Sequence, residues 1–237
     1  MTATENKYLG GELDLFALAD NWKAYVRTEI REYLVGKVLE VGAGIGATTA
    51  ALFDGSCDRW VCLEPDLALA NQLSQRIRNL GLRGDLSVIA GSLGTLARRP
   101  YFDCVLYVDV LEHIQDDHGQ ITACAEFVRA GGYIVILAPA HEWLFSEFDK
   151  RIGHLRRYDR RLLRALMPPN WTETKLVYLD SLGVLLSLGN ALLLRQSMPS
   201  RAQILTWDRI GIPLSRILDR IFLGNLGKSV LAVWKKV

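Results

Sequence analysis

The sequence predicts an α/β protein built on a doubly wound, mainly parallel sheet of seven strands. Two patterns predict this class. Apolar segments of strand length alternate with amphipathic helical segments between residues 37 and 138, which is typical of parallel strands joined by helices. These strand segments are apolar almost throughout, as expected for strands that are covered on both faces. The chain has 237 residues, 50% of them hydrophobic, so we predict a single domain with a full core.

The predicted elements follow one another without an internal repeat. Apolar residues at helical spacing predict a first amphipathic helix over residues 13–34, which Gly36 ends. We assign residues 13–35 to a cap helix that precedes the sheet and residues 37–138 to the core of the domain. The predicted core elements are strand Val38–Val41, helix Ala47–Phe53, strand Trp60–Leu63, helix Leu67–Leu80, strand Leu86–Ile89, strand Cys104–Val108, helix Gln120–Arg129 and strand Tyr133–Leu137.

The pattern changes after Pro139, where a polar segment dotted with aromatic residues runs to Tyr158. We predict that residues 139–226 form a lid after the fifth strand and a helical addition, and that residues 227–237 form the closing strand. The predicted elements of this part are helix Arg160–Met167, strand Lys175–Leu179, helix Leu182–Leu194, a helix over Trp207–Phe222 interrupted near Gly211 and Pro213, and strand Ser229–Trp234.

Composition excludes several classes of protein. The formal net charge of +2 is too small to indicate a nucleic-acid partner. Residues 1–11 are polar and lack the apolar segment of a signal peptide. The longest apolar run, 182–194, is shorter than the ~20 residues that span a bilayer. We therefore predict a cytoplasmic protein whose four cysteines, which show no metal-binding spacing, stay reduced.

The segment 38–46 carries the strongest functional signal. An apolar strand opens into three glycines at alternate positions, Gly42, Gly44 and Gly46, and a helix follows at once. Glycine lets the backbone turn sharply and lets a ligand lie against it, and the helix N-terminus directs N–H groups at that ligand. The segment predicts a nucleotide-cofactor site. It also satisfies the dinucleotide fingerprint G-x-G-x-x-G/A, so a nicotinamide cofactor is an alternative.

Three further segments lie where the predicted strands end. Glu64 ends the second strand, where a carboxylate can accept from both ribose hydroxyls. Residues 91–93 follow the third strand, where a loop can cover an adenine ring. Residues 109–113 form a polar turn after the fourth strand, beside the glycine loop. The carboxyl ends of parallel strands meet at one edge of the sheet, so we expect these segments to converge.

In their order and spacing these motifs resemble those of class I S-adenosylmethionine-dependent methyltransferases. The later segment 139–158 resembles one found in small-molecule methyltransferases of bacterial biosynthetic clusters. The resembling segments are 39–46, 63–66, 102–113 and 131–132. The resemblance implies that the glycine loop passes under the methionine part of S-adenosylmethionine. That cofactor carries a cationic sulfur and no pyrophosphate, so nearby acidic groups are better suited to binding it than to binding a dinucleotide.

The resemblance also implies a role for each cofactor-binding residue. Glu40 would support the loop and Glu64 would bind the ribose. Residues 92–93 would frame the adenine, and residues 109–111 would line the sulfonium side. The residues so implied are Glu40, Gly42, Ala43, Gly44, Gly46, Glu64, Pro65, Gly91, Ser92, Leu93, Asp109, Val110, Leu111 and His113.

The predicted lid offers two candidate bases. Methyl transfer is an in-line displacement, and a hydroxyl acceptor must also lose a proton to a base. Histidine titrates near neutral pH and can accept that proton. His154 is the first candidate and His141 the second, because both lie in the segment that leaves the fifth strand. No carboxylate cluster indicates magnesium, and we predict no metal site.

Aromatic and basic residues around the lid predict a small or medium, partly apolar or lipid-like acceptor. The basic, apolar C-terminal helices are consistent with a cover over that acceptor, with a dimer interface or with peripheral membrane contact, and we favour the cover. The protein is expected to be a monomer or a homodimer. The predicted acceptor-binding residues are Phe16, Trp22, Tyr25, Trp143, Phe145, Arg157 and Tyr158.

Three functional alternatives stay open at this point. Methyl transfer to nitrogen or carbon of a similar acceptor fits the same motifs. A nicotinamide-dependent oxidoreductase fits the glycine segment alone. A non-catalytic protein that binds the cofactor, or associates with a membrane as a partner protein, fits the fold. We favour transfer to a hydroxyl oxygen, because the lid supplies histidines that can act as bases.

Overall fold

Seven strands form one sheet in the computed structural model, which describes residues 11–82, 84–97, 101–189 and 198–237. Along the sheet the strands stand in the order β3-β2-β1-β4-β5-β7-β6. Only β7 runs antiparallel to its neighbours β5 and β6, so the predicted fold class is confirmed. The strands are β1 Lys37–Val41, β2 Arg59–Glu64, β3 Leu86–Ala90, β4 Phe102–Val108, β5 Val128–Pro139, β6 Trp171–Leu179 and β7 Ser229–Lys236.

Helices flank this sheet and extend beyond its carboxyl edge. A π-helical turn, Trp207–Gly211, joins the last two helices into one continuous rod. Within the described ranges, every helix is too short or too polar to cross a bilayer. The α-helices are α1 Glu12–Phe16, α2 Asp20–Ile30, α3 Ala47–Leu52, α4 Leu67–Leu80, α5 Asp117–Ala125, α6 Glu147–Arg151, α7 Arg160–Leu166, α8 Ser181–Gly189, α9 Arg201–Thr206 and α10 Ile212–Ile221.

The hydrophobic core lies on both faces of the sheet. Successive side chains of a strand point to opposite faces, so Leu39 packs in one buried cluster while its neighbour Val38 packs in the other. Val105 and Cys104 on β4 divide in the same way. Because both faces are covered, the strands can be apolar without interruption, which is the pattern that predicted them.

The predicted helix over residues 13–34 is wrong as a single element. The chain forms α1 and α2 with a break at residues 17–19, and a short 3₁₀ turn ends α2. Asp208 causes the second start, because its carboxylate accepts hydrogen bonds from the backbone N–H groups of Asn21 (3.1 Å) and Trp22 (2.9 Å). A cap supplied from so distant a segment leaves no trace in local periodicity.

Several other predicted boundaries shift. Helix α5 ends at Ala125, and Arg129 lies in β5 rather than in the helix predicted over residues 120–129. Strand β6 begins at Trp171, four residues before the predicted start. The predicted helix over residues 182–194 is described as α8 up to Gly189, and its last five residues lie outside the described residues.

Candidate cofactor and acceptor site

The glycine loop after β1 is tightly enclosed by its neighbours. Gly42 and Gly46 have φ angles of 69° and 76°, in the left-handed region that glycine enters without steric cost. A Cβ atom on Gly42 would stand 2.7 Å from a methyl group of Val110, and one on Gly46 would collide with Leu73. The loop therefore requires glycine at both positions, and the turn after β4 packs directly on it.

Glu40 lies beneath this loop and is fully enclosed by protein. Its Oε2 atom accepts hydrogen bonds from Thr49 Oγ1 on α3 (2.7 Å) and from Trp60 Nε1 on β2 (2.9 Å). Burial raises the pKa of Glu40 to about 7. The carboxyl group thus joins β1 to the helix that follows the loop, and it supports the loop from below.

Glu64 connects the glycine loop to the end of β2. Its Oε2 accepts from the Gly44 N–H (2.8 Å) and its Oε1 accepts from the Asp66 N–H (2.9 Å). Burial is the main cause that raises the pKa of this carboxyl group. A carboxylate has about four lone-pair positions, so two remain for ligand hydroxyls. The neighbouring Pro65 is exposed.

The loop after β3 lies next to Glu64. The Gly91 N–H donates to the Glu64 carbonyl oxygen at 2.9 Å, which pairs the two strand ends. Leu93 is buried and begins a 3₁₀ turn, while Ser92 is exposed. Residues 91–93 therefore stand at the same edge of the sheet as the glycine loop, as the sequence predicted.

Asp109 is the first residue after β4 and has a φ angle of 53°, which is uncommon for a residue other than glycine. Its backbone N–H donates to the Leu137 carbonyl oxygen at 2.9 Å. Asp109 is exposed at this edge of the sheet, and desolvation by the surrounding protein raises the pKa of its carboxyl group. The positive charges of Lys228 and Arg157 oppose that rise.

A buried polar cluster lies beside the cleft, centred on Asp149 of α6. Its carboxylate accepts from His154 Nδ1 (2.8 Å) and from Arg157 Nε and Nη2 (2.9 and 3.0 Å). Ser146 also donates to it (2.8 Å). Burial acts to raise the pKa of Asp149, but these hydrogen bonds hold it well below its usual range. The pair formed with Arg157 is therefore ionised and rigid.

Three residues in the described part of the chain could hold a metal ion. One ligand atom each of Glu112, His113 and His154 lies within 4.8 Å of the other two. The fully buried carboxyl group of Glu112 has no hydrogen-bond partner among the residues that the structure describes, and its Oε1 is 3.6 Å from His154 Nε2. Ligands of a tetrahedral zinc ion stand about 3.3 Å apart, so the group would have to contract to bind one.

The surroundings of this group oppose the charged forms of two of its members. Burial raises the pKa of Glu112 well above its ordinary value, and burial lowers the pKa of His113 to about 4. His113 Nδ1 lies 3.2 Å from the Gly153 carbonyl oxygen. The absence of a metal site stays a prediction.

His141 stands apart from this cluster, between two aromatic side chains. Its ring centroid lies 4.6 Å from that of Tyr178 and 5.3 Å from that of Trp143. It has a φ angle of 65°, and burial lowers its pKa. Its Nε2 atom has no hydrogen-bond partner among the described residues. The structure thus separates the two histidines that the sequence proposed as bases.

A cavity of about 560 Å³ opens between α1, the lid and the C-terminal helices. Its walls are mainly apolar, and Arg157 and Lys228 supply the positive charge. The volume falls in the range of about 300–1,000 Å³ that small-molecule sites occupy. The described lining residues are Phe16, Trp143, Leu144, Phe145, Ser146, Phe148, Arg157, Leu182, Gly183, Leu186, Ser187, Leu188, Pro199, Ala202, Gln203, Ile204, Thr206, Trp207, Ile210, Gly211 and Lys228.

Residues 39–136 match the family model described as a methyltransferase domain. Over this segment the chain carries a methyltransferase domain. The match covers β1 to β5 and includes the glycine loop, Glu64 and the turn after β4. The predicted class of enzyme and its cofactor, S-adenosylmethionine, are confirmed, and the nicotinamide alternative is set aside. No curated protein matches the chain in sequence.

Solved structures with the same fold are distant in sequence. The N-methyltransferase NodS from Bradyrhizobium japonicum WM9 in complex with S-adenosyl-L-homocysteine has 15% identity and a TM-score of 0.59, and the match covers 98% of this chain and 93% of that one. A SAM dependent methyltransferase from Archaeoglobus fulgidus has 14% identity and a TM-score of 0.56, covering 90% and 94%. The cyclase SpnF has 14% identity and a TM-score of 0.61, covering 90% and 81%. At this identity the likeness shows the fold alone.

The methyltransferase brings together only some of the predicted acceptor residues. Phe16, Trp143, Phe145 and Arg157 line the cavity, whereas Trp22, Tyr25 and Tyr158 do not. The latter three face the interior and make the contacts described next. Neither His154 nor His141 is among the lining residues.

The residues outside the cavity have identifiable structural partners. Trp22 packs on Trp207 with ring centroids 5.9 Å apart. Tyr25 donates to Asp219 Oδ2 at 3.0 Å, and Tyr158 donates to Asp117 Oδ2 at 2.8 Å. All three are aromatic, as Phe16 is, so residue type alone did not distinguish core packing from acceptor contact.

Sequence reasoning missed Lys228, Trp207 and Leu182 as lining residues. Trp207 and Leu182 lie far from the motif-bearing core, and only packing of the C-terminal helices brings them to the cavity. A signal for Lys228 exists, because it immediately precedes the closing strand. That strand is antiparallel, so its start lies at the carboxyl edge of the parallel strands, where ligands bind.

Proposed function

We propose that the methyltransferase transfers the methyl group of S-adenosylmethionine to a hydroxyl oxygen of a small or medium, partly apolar acceptor. One observation carries this proposal: Arg157 lines the apolar cavity and also pairs with Asp149, which holds His154 at 2.8 Å. The acceptor site and the candidate base are thus joined through one buried cluster. S-adenosylmethionine, when bound, supplies an electrophilic methyl group beside that cluster.

The cofactor assignment rests on the four strand ends that converge on the glycine loop. We assign the glycine loop to the methionine part and Glu64, with its remaining lone pairs, to the ribose. We assign residues 91–93 to the adenine and residues 109–111 to the sulfonium side, where Asp109 contributes a carboxyl group that suits a cation.

His154 is the base that the arrangement favours. Because the Asp149 carboxylate accepts the Nδ1–H proton, His154 is held in the tautomer that leaves the Nε2 lone pair for a substrate proton. Proximity and alignment supply most of the remaining rate. The His154 side chain is only 8% exposed, so we expect the acceptor to reach it when α1 moves outward.

The position of α1 supports this expectation. Leu13 of α1 lies against the glycine loop, since a Cβ on Gly44 would stand 3.7 Å from its methyl group. Glu12 of α1 is buried, has no hydrogen-bond partner among the described residues and lies within electrostatic range of His154. A helix of five residues with an unsatisfied buried carboxylate is poorly anchored, so α1 is suited to act as the movable cap.

The test is His154→Gln, assayed with S-adenosylmethionine and a panel of phenolic and aliphatic hydroxyl acceptors. General-base catalysis is worth about 10²–10⁴ in rate, so we expect kcat to fall by about 10² or more with unchanged affinity for S-adenosylhomocysteine. His141→Gln is the matched control and is expected to retain most activity. Unchanged turnover in His154→Gln would show that His154 is structural and that another group accepts the hydroxyl proton.

We further infer contact with a membrane surface through the C-terminal helices. Four apolar side chains at spacings of three and four residues form one exposed face there. Arg209 and Arg220 flank this face and are also exposed, a combination suited to anionic lipid. The four side chains are between 48% and 66% exposed: Ile210, Leu214, Ile217 and Ile221.

The vesicle test uses Ile217→Glu, with Leu80→Glu on α4 as the matched control, because Leu80 is 55% exposed away from this face. We expect the wild-type protein and the control to float with vesicles that contain phosphatidylserine, and Ile217→Glu to stay in solution. Equal flotation of all three proteins, or none by the wild type, would refute membrane contact. Dimer formation lost in Ile217→Glu would assign the face to a second copy instead.

A further inference from the structure

Lys228 stands at the junction of the acceptor cavity and the cofactor cleft. Its backbone N–H donates to the Asp180 carbonyl oxygen (3.0 Å), and its carbonyl oxygen accepts from the Ala140 N–H (2.7 Å). These bonds hold it between the ends of β5 and β6, at the edge that carries the glycine loop. Its side chain lines the cavity and acts electrostatically on Asp109 of the cofactor cleft.

The N–H donors of the Lys228 ammonium group are available to a ligand. Over the described ranges it has no hydrogen-bond or ion-pair partner, and its Nζ atom lies 5.7 Å from the centroid of the Trp207 ring. Arg157, the other cation of the cavity, is already paired with both oxygens of Asp149. An ammonium offers three N–H donors, and leaving them unpaired among apolar groups is costly.

Asp180 does not accept from these donors, although its charge acts most strongly on Lys228. Its Oδ1 accepts from the Gly183 N–H (3.0 Å) and Ser215 Oγ (2.7 Å), and its Oδ2 accepts from Trp207 Nε1 (2.9 Å). The carboxylate is thus satisfied by neutral donors. Asp180, Asp149 and Asp109 act at longer range to keep Lys228 charged, against burial, which lowers its pKa.

We propose that Lys228 binds the anionic head, a carboxylate or a phosphate, of an amphiphilic acceptor whose apolar part fills the cavity. The apolar walls formed by Phe148, Leu182 and Trp207 require that the main part of the acceptor is apolar. A single unpaired ammonium at the cofactor end requires one anionic group close to the hydroxyl that is methylated. This inference rests on the proposed function and names the chemical class of its acceptor.

The experiment measures binding rather than turnover, so that no acceptor need be known. The full-length protein is saturated with S-adenosylhomocysteine and titrated with dodecanoate, dodecyl phosphate and dodecanol, which share a chain and differ in head. Acetate and inorganic phosphate serve as heads without a chain. The variants are Lys228→Met, Lys228→Arg and the control Lys235→Met, which removes an exposed lysine of the strand that follows Lys228.

We expect the wild type to bind at least one anionic amphiphile about tenfold or more tightly than dodecanol, since a charged hydrogen bond is worth at least about that factor. Lys228→Met should lose this preference while keeping its affinity for dodecanol, which shows that the cavity is intact. Lys228→Arg and Lys235→Met should keep it. Three results would overturn the proposal. They are equal binding of the three dodecyl compounds by the wild type, a preserved preference in Lys228→Met, and tight binding of acetate or inorganic phosphate alone.

The two proposals fail in different ways. If S-adenosylhomocysteine does not bind but the head preference depends on Lys228, the proposed function fails and the anionic subsite stands. If S-adenosylhomocysteine binds and no head preference exists, the methyltransferase stands and its acceptor is neutral, which overturns the role of Lys228.

Discussion

The cofactor side and the acceptor side of the methyltransferase are built in different ways. The cofactor side takes its groups from loops directly after β1 to β4, and neighbouring strand ends bind each other, as Glu64 binds the Gly44 N–H. The acceptor cavity draws its walls from segments as distant as Phe16 and Lys228. The residues that we assign to the methyl donor therefore lie in short motifs. The residues that we assign to the methyl acceptor come together only through the packing of helices outside the sheet.

The two sides also differ in their electrostatics. Glu40 and Glu64 on the cofactor side have raised pKa values because burial dominates. Asp149 on the acceptor side has a lowered pKa because Arg157 and His154 hold its charged form. The cofactor side thus contains carboxyl groups that accept from neutral donors or have lone pairs left for a ligand. The acceptor side contains a completed ion pair that positions other groups.

The largest effect is expected from breaking that ion pair. Asp149→Asn leaves the Arg157 guanidinium buried without a counter-charge, and removing one partner of such a pair costs about 3–5 kcal/mol of unfolding free energy. Urea denaturation at pH 7 measures it. Glu147→Gln, on the same helix but in an exposed pair with Lys150, is the control and should change little.

The same pair should respond to acid. The folded-state pKa of Asp149 lies below the ordinary value of 3.8, so its contribution is fully present above that value and is lost as the pH falls through the lower folded pKa. Wild type and Asp149→Asn should therefore converge in stability in strong acid. A constant difference between them at all pH values would contradict the ion pair.

Glu40 is expected to show the opposite pH dependence. Its folded pKa is about 7 against an ordinary 4.5, so the unfolded chain releases this proton first and stability falls as the pH rises from about 4.5 to 7. The expected fall in the free energy of unfolding over this pH range is roughly 2–3 kcal/mol. Glu40→Gln should remove this pH-dependent loss in urea titrations at pH 5 and pH 8. An equal loss in the variant would assign it to other groups.

Glu64→Ala should act on the ligand more than on the fold. It removes the acceptor of the Gly44 N–H and the lone pairs offered to the ribose, so we expect S-adenosylhomocysteine to bind at least tenfold more weakly, about 1.4 kcal/mol. Calorimetry measures the affinity, and exposed Asp58→Ala on the preceding turn serves as the control. Unchanged affinity would remove the ribose assignment.

The sequence predicted which segments meet at the carboxyl edge of the sheet, but it predicted the lining of the cavity only in part. The glycine loop and the residues at the strand ends follow from local patterns, because each motif lies next to the strand that positions it. The break between α1 and α2 did not follow, since Asp208 caps α2 from far along the chain. Trp22 and Phe16 are both aromatic residues of the predicted cap helix, and only tertiary packing decides that the first is buried and the second lines the cavity.

The smallest effect is expected from chelation. Glu112, His113 and His154 stand close together, but burial raises the pKa of Glu112 and a neutral carboxyl group binds a cation poorly. We therefore expect EDTA to leave thermal stability and S-adenosylhomocysteine affinity unchanged. A loss of stability that zinc or manganese restores would show that these three residues form a metal site.

The most direct test of the account is a thermal-shift titration of the purified protein with S-adenosylhomocysteine, run in parallel with NADH. A ligand that binds only the native state raises the melting temperature by mass action, by an amount that grows with the logarithm of its concentration. We expect a rise with S-adenosylhomocysteine alone, and a smaller one in Glu64→Ala. A rise with NADH alone, or with neither compound, would contradict the assignment of the glycine loop to S-adenosylmethionine.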